Sequence, residues 1–296
     1  MRNWGKHVLV IAAALCASAA PVTAASAALP AVELPPPGGQ FDYQIGGPYT
    51  PDASVKVVSR DREQAPVPGK YNVCYLNAMQ TQPDPGADED PPNPRPNPEL
   101  VGTTAWYLKY HKDVVLHKDG KPVMDGEWGE AVLDVTTSAK RKALLEVQKP
   151  WIDGCRTSGF QAIEPDNLDS YDRSGGAFKF AQNRDYMVLF NGYAKEKGLA
   201  VAQKNVNSEY GNTGPSVGFS FAIAEECAVY DECAEYRTPY GDRYYEVEYT
   251  DNPRSAFTKE CTKNGKTTSI ILRDRNVVPK GHKDYHYELC ANRPRS

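Results

Sequence analysis

"GFQAIEPDNLDSY", residues 159–171, opens as a buried strand and closes in a burst of acid. Phe160, Ala162 and Ile163 suit the inside of a sheet, yet Glu164, Asp166 and Asp169 follow almost at once. Pro165 keeps the residue before it extended, so strand geometry carries up to the acids. An apolar strand with a polar mouth is the pattern of a parallel β/α sheet, whose chemistry sits at the C-terminal strand ends. The rest of the chain is read for partners to this strand.

Seven further apolar runs qualify. They are "FDYQI" (41–45), "YNVCYLNA" (71–78), "AVLDV" (131–135), "LAVAQ" (199–203), "FSFAIA" (219–224), "YYEVEY" (244–249) and "SIILR" (269–273), which with "FQAIE" (160–164) make eight. Helical patterns lie between several of them. In "SAKRKALLEVQKPWIDGC", Leu144, Val147 and Trp151 share one face, with Ser138 as cap and Pro150 as a kink. "FKFAQNRDYMVLFNGYAKEKG" repeats Phe178, Ala181, Met187, Phe190 and Tyr193 at helical spacing and stops at Gly198. Strands alternating with helices predict an α/β fold, and eight of them a single-domain (β/α)8 TIM barrel. The competing doubly wound sheet lacks a G-x-G-x-x-G after its first strand.

The flanks set the compartment. Arg2 and Lys6 precede the apolar "VLVIAAALCASAA" and the small-residue "VTAASAA", so residues 1–27 read as a secretory signal peptide. Residues 28–40 are a proline-rich lead-in, and the barrel spans 41–292. The formal net charge is −4 and falls further once Arg2 and Lys6 leave with the leader. A secreted chain of that sign, without a basic run, has no electrostatic footprint for nucleic acid and needs no membrane after cleavage. It favours a cationic ligand instead. A monomer is expected.

Apart from Cys16 there are six cysteines, an even count that in an exported chain reads as disulfides, with 15 possible pairings. Proximity in sequence pairs Cys227 with Cys233 and Cys261 with Cys290, leaving Cys74 for Cys155. No C-x-x-C or H-E-x-x-H occurs, so neither a metal nor a cofactor is expected. One insertion stands apart: "PDPGADEDPPNPRPNPEL", residues 83–100, carries seven prolines and five acids. It reads as a solvated loop that rims the strand ends with Asp84, Asp88, Glu89 and Asp90.

Those ends carry the chemistry. Strand one offers Asp42 and Tyr43, strand two Tyr75 and Asn77, and strand three Asp134. Strand four offers Glu164, Asp166 and Asn167, strand five Lys204 and Asn205, and strand six Glu225 and Glu226. Carboxylates facing one another across a cleft suit glycoside hydrolysis, one ionised and one holding a proton. Lys204 stands where it would lower the pKa of Asp166.

In order along the chain, "FDYQIGG", "YNVCYLNAMQTQP", "VLDVTT", "GFQAIEPDNLDSY", "GLAVAQKN" and "FAIAEECAVYDEC" resemble glycoside hydrolase family 114, the endo-α-1,4-polygalactosaminidases, in a secreted bacterial form. The resemblance covers nearly the whole mature chain, and E-P-D-N-x-D-x-Y and E-E-C-x-x-Y-x-E-C are its specific motifs. It implies a (β/α)8 barrel that cuts cationic, galactosamine-rich polysaccharide without a metal, using acids at the ends of strands four and six. On this sequence those are Asp166 as nucleophile and Glu225 as acid/base. Glu226 competes with Glu225. If Phe219, Phe221 and Ile223 pack outward, strict alternation aims Glu226 inward, whereas the family pattern favours the first glutamate. Asp42, Tyr43, Tyr75, Asn77, Asp134, Glu164, Asn167, Lys204 and Asn205 are the candidate sugar-binding residues. The alternatives are a related α-glycosidase for galactose or N-acetylgalactosamine linkages and a non-catalytic carbohydrate-binding barrel.

Overall fold

The structure, a computed structural model, describes Met1 and residues 29–87 and 91–291. The signal-peptide expectation and the rim acids Asp88, Glu89 and Asp90 lie outside the described residues. The main sheet contains β1 (Phe41–Tyr43), β2 (Val57–Asp61), β3 (Tyr71–Asn77), β4 (Ala162–Asp166) and β5 (Ala200–Lys204). It continues with β6 (Phe221–Glu225), β7 (Tyr244–Tyr249), β8 (Ser269–Arg273) and β9 (Tyr287–Leu289). The strands are hydrogen-bonded in chain order. The first eight run parallel and β9 is antiparallel to β8. The sheet curls until β1 touches β8, where the Phe41 backbone N–H donates to Ser269 Oγ at 2.9 Å.

Two strand expectations are corrected. "AVLDV" (131–135) is not in the main sheet. Its residues are buried, but Ala131 pairs antiparallel with Met124, and Val132 and Leu133 bridge Gln80 and Val115 within the long excursion between β3 and β4. The true neighbour of β1 is "VVSRD", which does not look like a strand because Ser59 and Arg60 are polar and buried. Arg60 is accommodated by Gln44 Oε1 at 2.9 Å and by the carbonyls of Ala65 and Tyr49, each at 2.7 Å. Among the described residues no helix lies between β1 and β2 or between β2 and β3, so β/α alternation begins only after β3.

The helices obey ordinary chemistry. The first large one, α1 (Ser138–Ser158), is capped by Thr137, whose hydroxyl accepts the Lys140 N–H at 3.2 Å; the cap is therefore one residue earlier than Ser138. It ends at Gly159, where φ is 99°, a left-handed conformation that glycine takes at no steric cost. Its buried face is Leu144, Leu145, Gln148, Ile152 and Cys155, with Val147 and Trp151 only partly covered. The second, α2 (Phe180–Glu196), buries Tyr186, Met187, Phe190 and Ala194 against it. Phe178 lies ahead of that helix.

Period-two alternation divides two cores. Phe41, Val57, Tyr71, Val73, Ala162, Ala202, Phe221, Ile223, Val247 and Ile271 fill the inside of the curl. Leu76, Ile163, Val201, Ala222 and Ala224 face the helices. The inner residues set the direction of the strand ends, because every second position past this apolar plug also points inward at the C-terminal end. Disulfides join Cys74 to Cys155, Cys227 to Cys233 and Cys261 to Cys290. The first ties β3 to α1 across 81 residues of sequence. Closing a loop that long limits the unfolded chain by about 4–5 kcal/mol in the entropic account. The double replacement Cys74→Ala with Cys155→Ala is expected to lower unfolding stability by about 2–5 kcal/mol. Urea denaturation checks it, and a loss below about 1 kcal/mol means the denatured chain keeps that loop closed by other contacts.

Candidate active site

Lys204 ends β5 with its Nζ inside the curl, and its residue is 1 % exposed. Four oxygens surround that nitrogen: Tyr43 Oη at 3.0 Å, Asp166 Oδ2 at 3.1 Å, Glu225 Oε2 at 3.1 Å and Glu164 Oε1 at 3.3 Å. They arrive because Tyr43, Glu164, Asp166 and Glu225 continue the inward alternation of β1, β4 and β6. Burial alone pulls the ammonium toward its neutral form, but Asp166, Glu225 and Glu164 outweigh it and hold Lys204 well above its ordinary pKa of 10.5. Lys204 is therefore a permanent cation shared by three carboxylates.

The carboxylates are not equivalent. Glu164 is fully buried, accepting the Tyr43 hydroxyl at 2.8 Å and the Ser59 hydroxyl at 2.5 Å. Burial raises its pKa against the pull of Lys204. It lies beneath the site and has no face for a sugar. Asp166 and Glu225 keep about a fifth of their side chains open to solvent, 20 % each. Asp166 accepts the Tyr75 hydroxyl at 2.7 Å and the Asn167 backbone N–H at 2.8 Å. Burial opposes its charge, but Lys204 and these two donors win and set its pKa below the ordinary 3.8. Glu225 accepts the Asn205 side-chain amide at 3.0 Å and the Tyr249 hydroxyl, while its own backbone N–H donates to Asn205 Oδ1 at 2.8 Å. Burial, reinforced by the nearby carboxylates, holds the phenols of Tyr43, Tyr75 and Tyr249 well above 10, so all three remain donors.

The two glutamates part company at the end of β6. Phe221 and Ile223 pack inside the curl rather than outward on the helices, so alternation itself turns Glu225 inward. Only Phe219, before the strand starts, joins the outer core. Glu226 lies past the strand at φ 60°, and its Oε1 accepts Arg275 at 2.6 Å and the Asn252 amide. Burial raises its pKa less than those partners lower it. The expectation that alternation aims Glu226 inward is overturned. Asn167 after β4 (φ 65°) and Asn205 after β5 (φ 50°) make the same left-handed turn. Asparagine tolerates it; at Glu226 the ion pair compensates the strain.

Other sequence candidates separate by place. Tyr75, Asn167 and Asn205 stand at the open mouth. Asn77 is buried, donating to Glu130 Oε1 at 2.8 Å and the Thr81 carbonyl at 3.0 Å. Asp42 and Tyr43 are too buried to meet substrate, at 1 % and 0 %. Asp42 takes the Gln44 amide at 2.8 Å and the Tyr49 hydroxyl at 2.5 Å, and stands 3.7 Å from the guanidinium of Arg273 on β8. Asp134 is away from the cluster, accepting the Thr136 N–H at 3.0 Å at the approach to α1. Asp84, expected on the rim, is buried and accepts the Ala105 N–H at 3.1 Å.

Three contributors were not anticipated. Ser59 sits on the unrecognised β2. Tyr249 follows Tyr245 and Val247 at period two, a signal present in "YYEVEY". Glu130 comes from the excursion, where nothing in the sequence marks it; it accepts Asn77 and also Asn167 Nδ2 at 3.2 Å. Burial keeps its pKa well above 4.5, with Asp166 adding to the effect. Among the described residues, Cys227, Cys233, Glu246 and Glu248 come within metal-binding reach of one another, but the two sulfurs are spent in a disulfide.

The sequence profile of glycoside-hydrolase family GH114 matches residues 21–295. No curated protein matches the chain. The structure of Aspergillus fumigatus Ega3 in complex with galactosamine superimposes with a TM-score of 0.61 at 17 % identity, over 90 % of this chain and 100 % of that one. The glycoside hydrolase domain of PelA from Pseudomonas aeruginosa gives 0.52 at 14 % identity, over 83 % and 98 %. At such identities both likenesses concern the fold.

Replacing Lys204 by Met leaves three carboxylates without their cation. Asp166, depressed in the native protein, contributes stability above its ordinary 3.8 that is lost as pH falls through its native value. Lys204, raised, contributes below 10.5 and is lost as pH climbs through its native value. Lys204→Met is expected to remove both arms and cost about 3–5 kcal/mol near neutrality. Thermal melts across pH read it: the Asp166-linked loss of stability toward acid should disappear in the variant, and its deficit relative to the parent should shrink as pH falls and the carboxylates protonate.

Proposed function

The chain belongs to glycoside-hydrolase family GH114, and from that premise we propose a secreted, endo-acting hydrolase that cuts α-1,4-linked galactosamine polymers with retention. The observation that carries the reading is the shared ammonium. Asp166 Oδ2 and Glu225 Oε2 each stand 3.1 Å from Lys204 Nζ, so these oxygens lie no farther apart than twice that distance. That supports the shorter carboxyl separation of retaining enzymes, roughly 5–5.5 Å, over the 6.5–9.5 Å or so that leaves room for an inverting water.

In the first step Asp166, held ionised by Lys204 and Tyr75, attacks the anomeric carbon as the glycosidic C–O bond breaks. Glu225, having taken up a proton from solvent through its open face, delivers it to the departing oxygen. In the second, Glu225 takes a proton from water, whose oxygen displaces Asp166 from the sugar and restores the starting configuration. Tyr249 and Asn205 hold the Glu225 carboxyl in line. Tyr75, Asn167 and Asn205 meet the sugar, and Glu226 shapes the turn through Arg275 without entering the chemistry. The galactosamine in the Ega3 structure supports an amino sugar as the unit recognised, as does the acidic lining. The same reading takes residues 41–292 as one closed (β/α)8 domain behind a cleaved leader, acting as a monomer.

The test is product analysis on partly deacetylated α-1,4-galactosamine polymer. Short amino-sugar oligomers are expected, with the α anomer first by NMR. Asp166→Asn should lose at least about 10³-fold in kcat, and Glu225→Gln about 10²–10⁴-fold, with Glu226→Gln within roughly tenfold of the parent. Initial β product means inversion. Full activity in Asp166→Asn removes the assignment.

A further inference from the structure

Away from Lys204, the excursion between β3 and β4 carries two adjoining hollows. One, of about 470 Å³, is lined by Glu99, Val101, Trp106, Tyr110 and His111. The other, of about 590 Å³, shares Glu99 and Val101 with it and extends past Asp84 to Gln82 and Glu63. Because they share a wall, the two form one trough. Its inner end reaches the C-terminal face of the sheet: Glu63 is two residues past β2, and Gln82 Nε2 donates to Asp61 Oδ2, the last residue of β2, at 3.0 Å. At its outer end Leu100, Val101 and Tyr110 expose 42 %, 44 % and 48 % of their surface side by side.

We propose that this trough is a second glycan-binding subsite, which holds an amine-bearing stretch of the polymer while another stretch lies at Asp166 and Glu225. The inference rests on the function proposed above and adds where the chain is held. Aromatic faces favour a sugar: the indole of Trp106 is braced by His111 at 4.5 Å and Tyr107 at 5.0 Å, with the Tyr110 ring 6.2 Å away. Exposed carboxylates offer an anchor for a protonated amine. Glu63 and Glu99 line the two hollows, each now paired with a cation, Glu63 with Arg62 at 2.5 Å, while Asp84 is buried. Glu99 is now engaged by Lys109 Nζ at 2.7 Å and by the Tyr110 hydroxyl at 3.2 Å. Lys109 also lies 4.8 Å from the centre of the Tyr110 ring. Both partners are exposed and solvent screens such a pair, so an incoming sugar ammonium displaces Lys109 from the same carboxylate and ring at small cost.

Two attachment points on one polymer raise its effective concentration at the second by avidity. The experiment compares the parent with Tyr110→Ala and Glu99→Gln, both exposed changes, on long and short deacetylated α-1,4-galactosamine substrates. KM for the long polymer is expected to rise about tenfold in each variant, with kcat held, while kcat/KM for a trimer too short to span both sites stays level. In the inactive Asp166→Asn background, deacetylated oligomers should perturb tryptophan fluorescence, and Tyr110→Ala should abolish that change. If the parent cleaves the polymer but the variants keep its KM, the trough is not a subsite. Equal binding of fully acetylated oligomers overturns the amine recognition. A parent dimer that Tyr110→Ala dissociates assigns the surface to a second copy of this chain and overturns the proposal. A parent inert toward every galactosamine polymer, with fluorescence binding intact, counts against the hydrolytic reading and leaves the trough standing.

Discussion

One buried ammonium organises this protein. Lys204 gives up its hydration to sit among three carboxylates and a phenol, and its charge offsets much of the cost of holding those carboxylates so close together. The arrangement ties β1, β4, β5 and β6 together from the inside. It also divides the acids by depth: Glu164 is sealed below with Ser59 and Tyr43, while Asp166 and Glu225 keep an open face. A single positive charge thus serves as a structural anchor and as the positioning group for a carboxylate pair.

That anchor works only if the sheet curls. The closing contacts come from groups whose strand-end positions suggest substrate binding. Asp42 on β1 faces Arg273 on β8, whose guanidinium also donates to the Tyr43 carbonyl and to the Val278 carbonyl at 2.9 Å. These residues are buried because they lock the seam, and Tyr287 on β9 adds a hydrogen bond to the Phe41 carbonyl at 2.7 Å. Polar residues at strand ends therefore fall into two kinds. Some hold the curled sheet in shape and others face the space within the curl, and residue type alone does not separate them.

The adjacent glutamates illustrate the difference at one residue's resolution. Glu225 is the last position of β6 and inherits the inward phase of Phe221 and Ile223. Glu226 has left the strand, turned through a left-handed backbone, and joined Arg275 from beyond β8. Arg275 is itself shared with Asp251, at 2.9 Å, so the loops after β6, β7 and β8 are knitted together on the outside of the mouth. The chain places two identical side chains together and gives them different surroundings.

What the sequence determined by itself was local and periodic. The strands β4 to β8 are visible as short apolar runs, and the acids at the end of "GFQAIEPDNLDSY" announce a strand mouth. An even cysteine count in a chain with a leader-like start foretells crosslinks. What only the tertiary structure decided depended on contacts between distant segments. "VVSRD" is a strand because Gln44, Tyr49 and Ala65 satisfy its buried arginine, while "AVLDV", equally apolar, is claimed by the excursion around it. Glu130 reaches Asn77 and Asn167 across 53 and 37 residues. Hydrophobic period is carried by neighbours in the chain and can be read there; the partner of a buried charge is chosen by how the sheet curls, and that requires the fold.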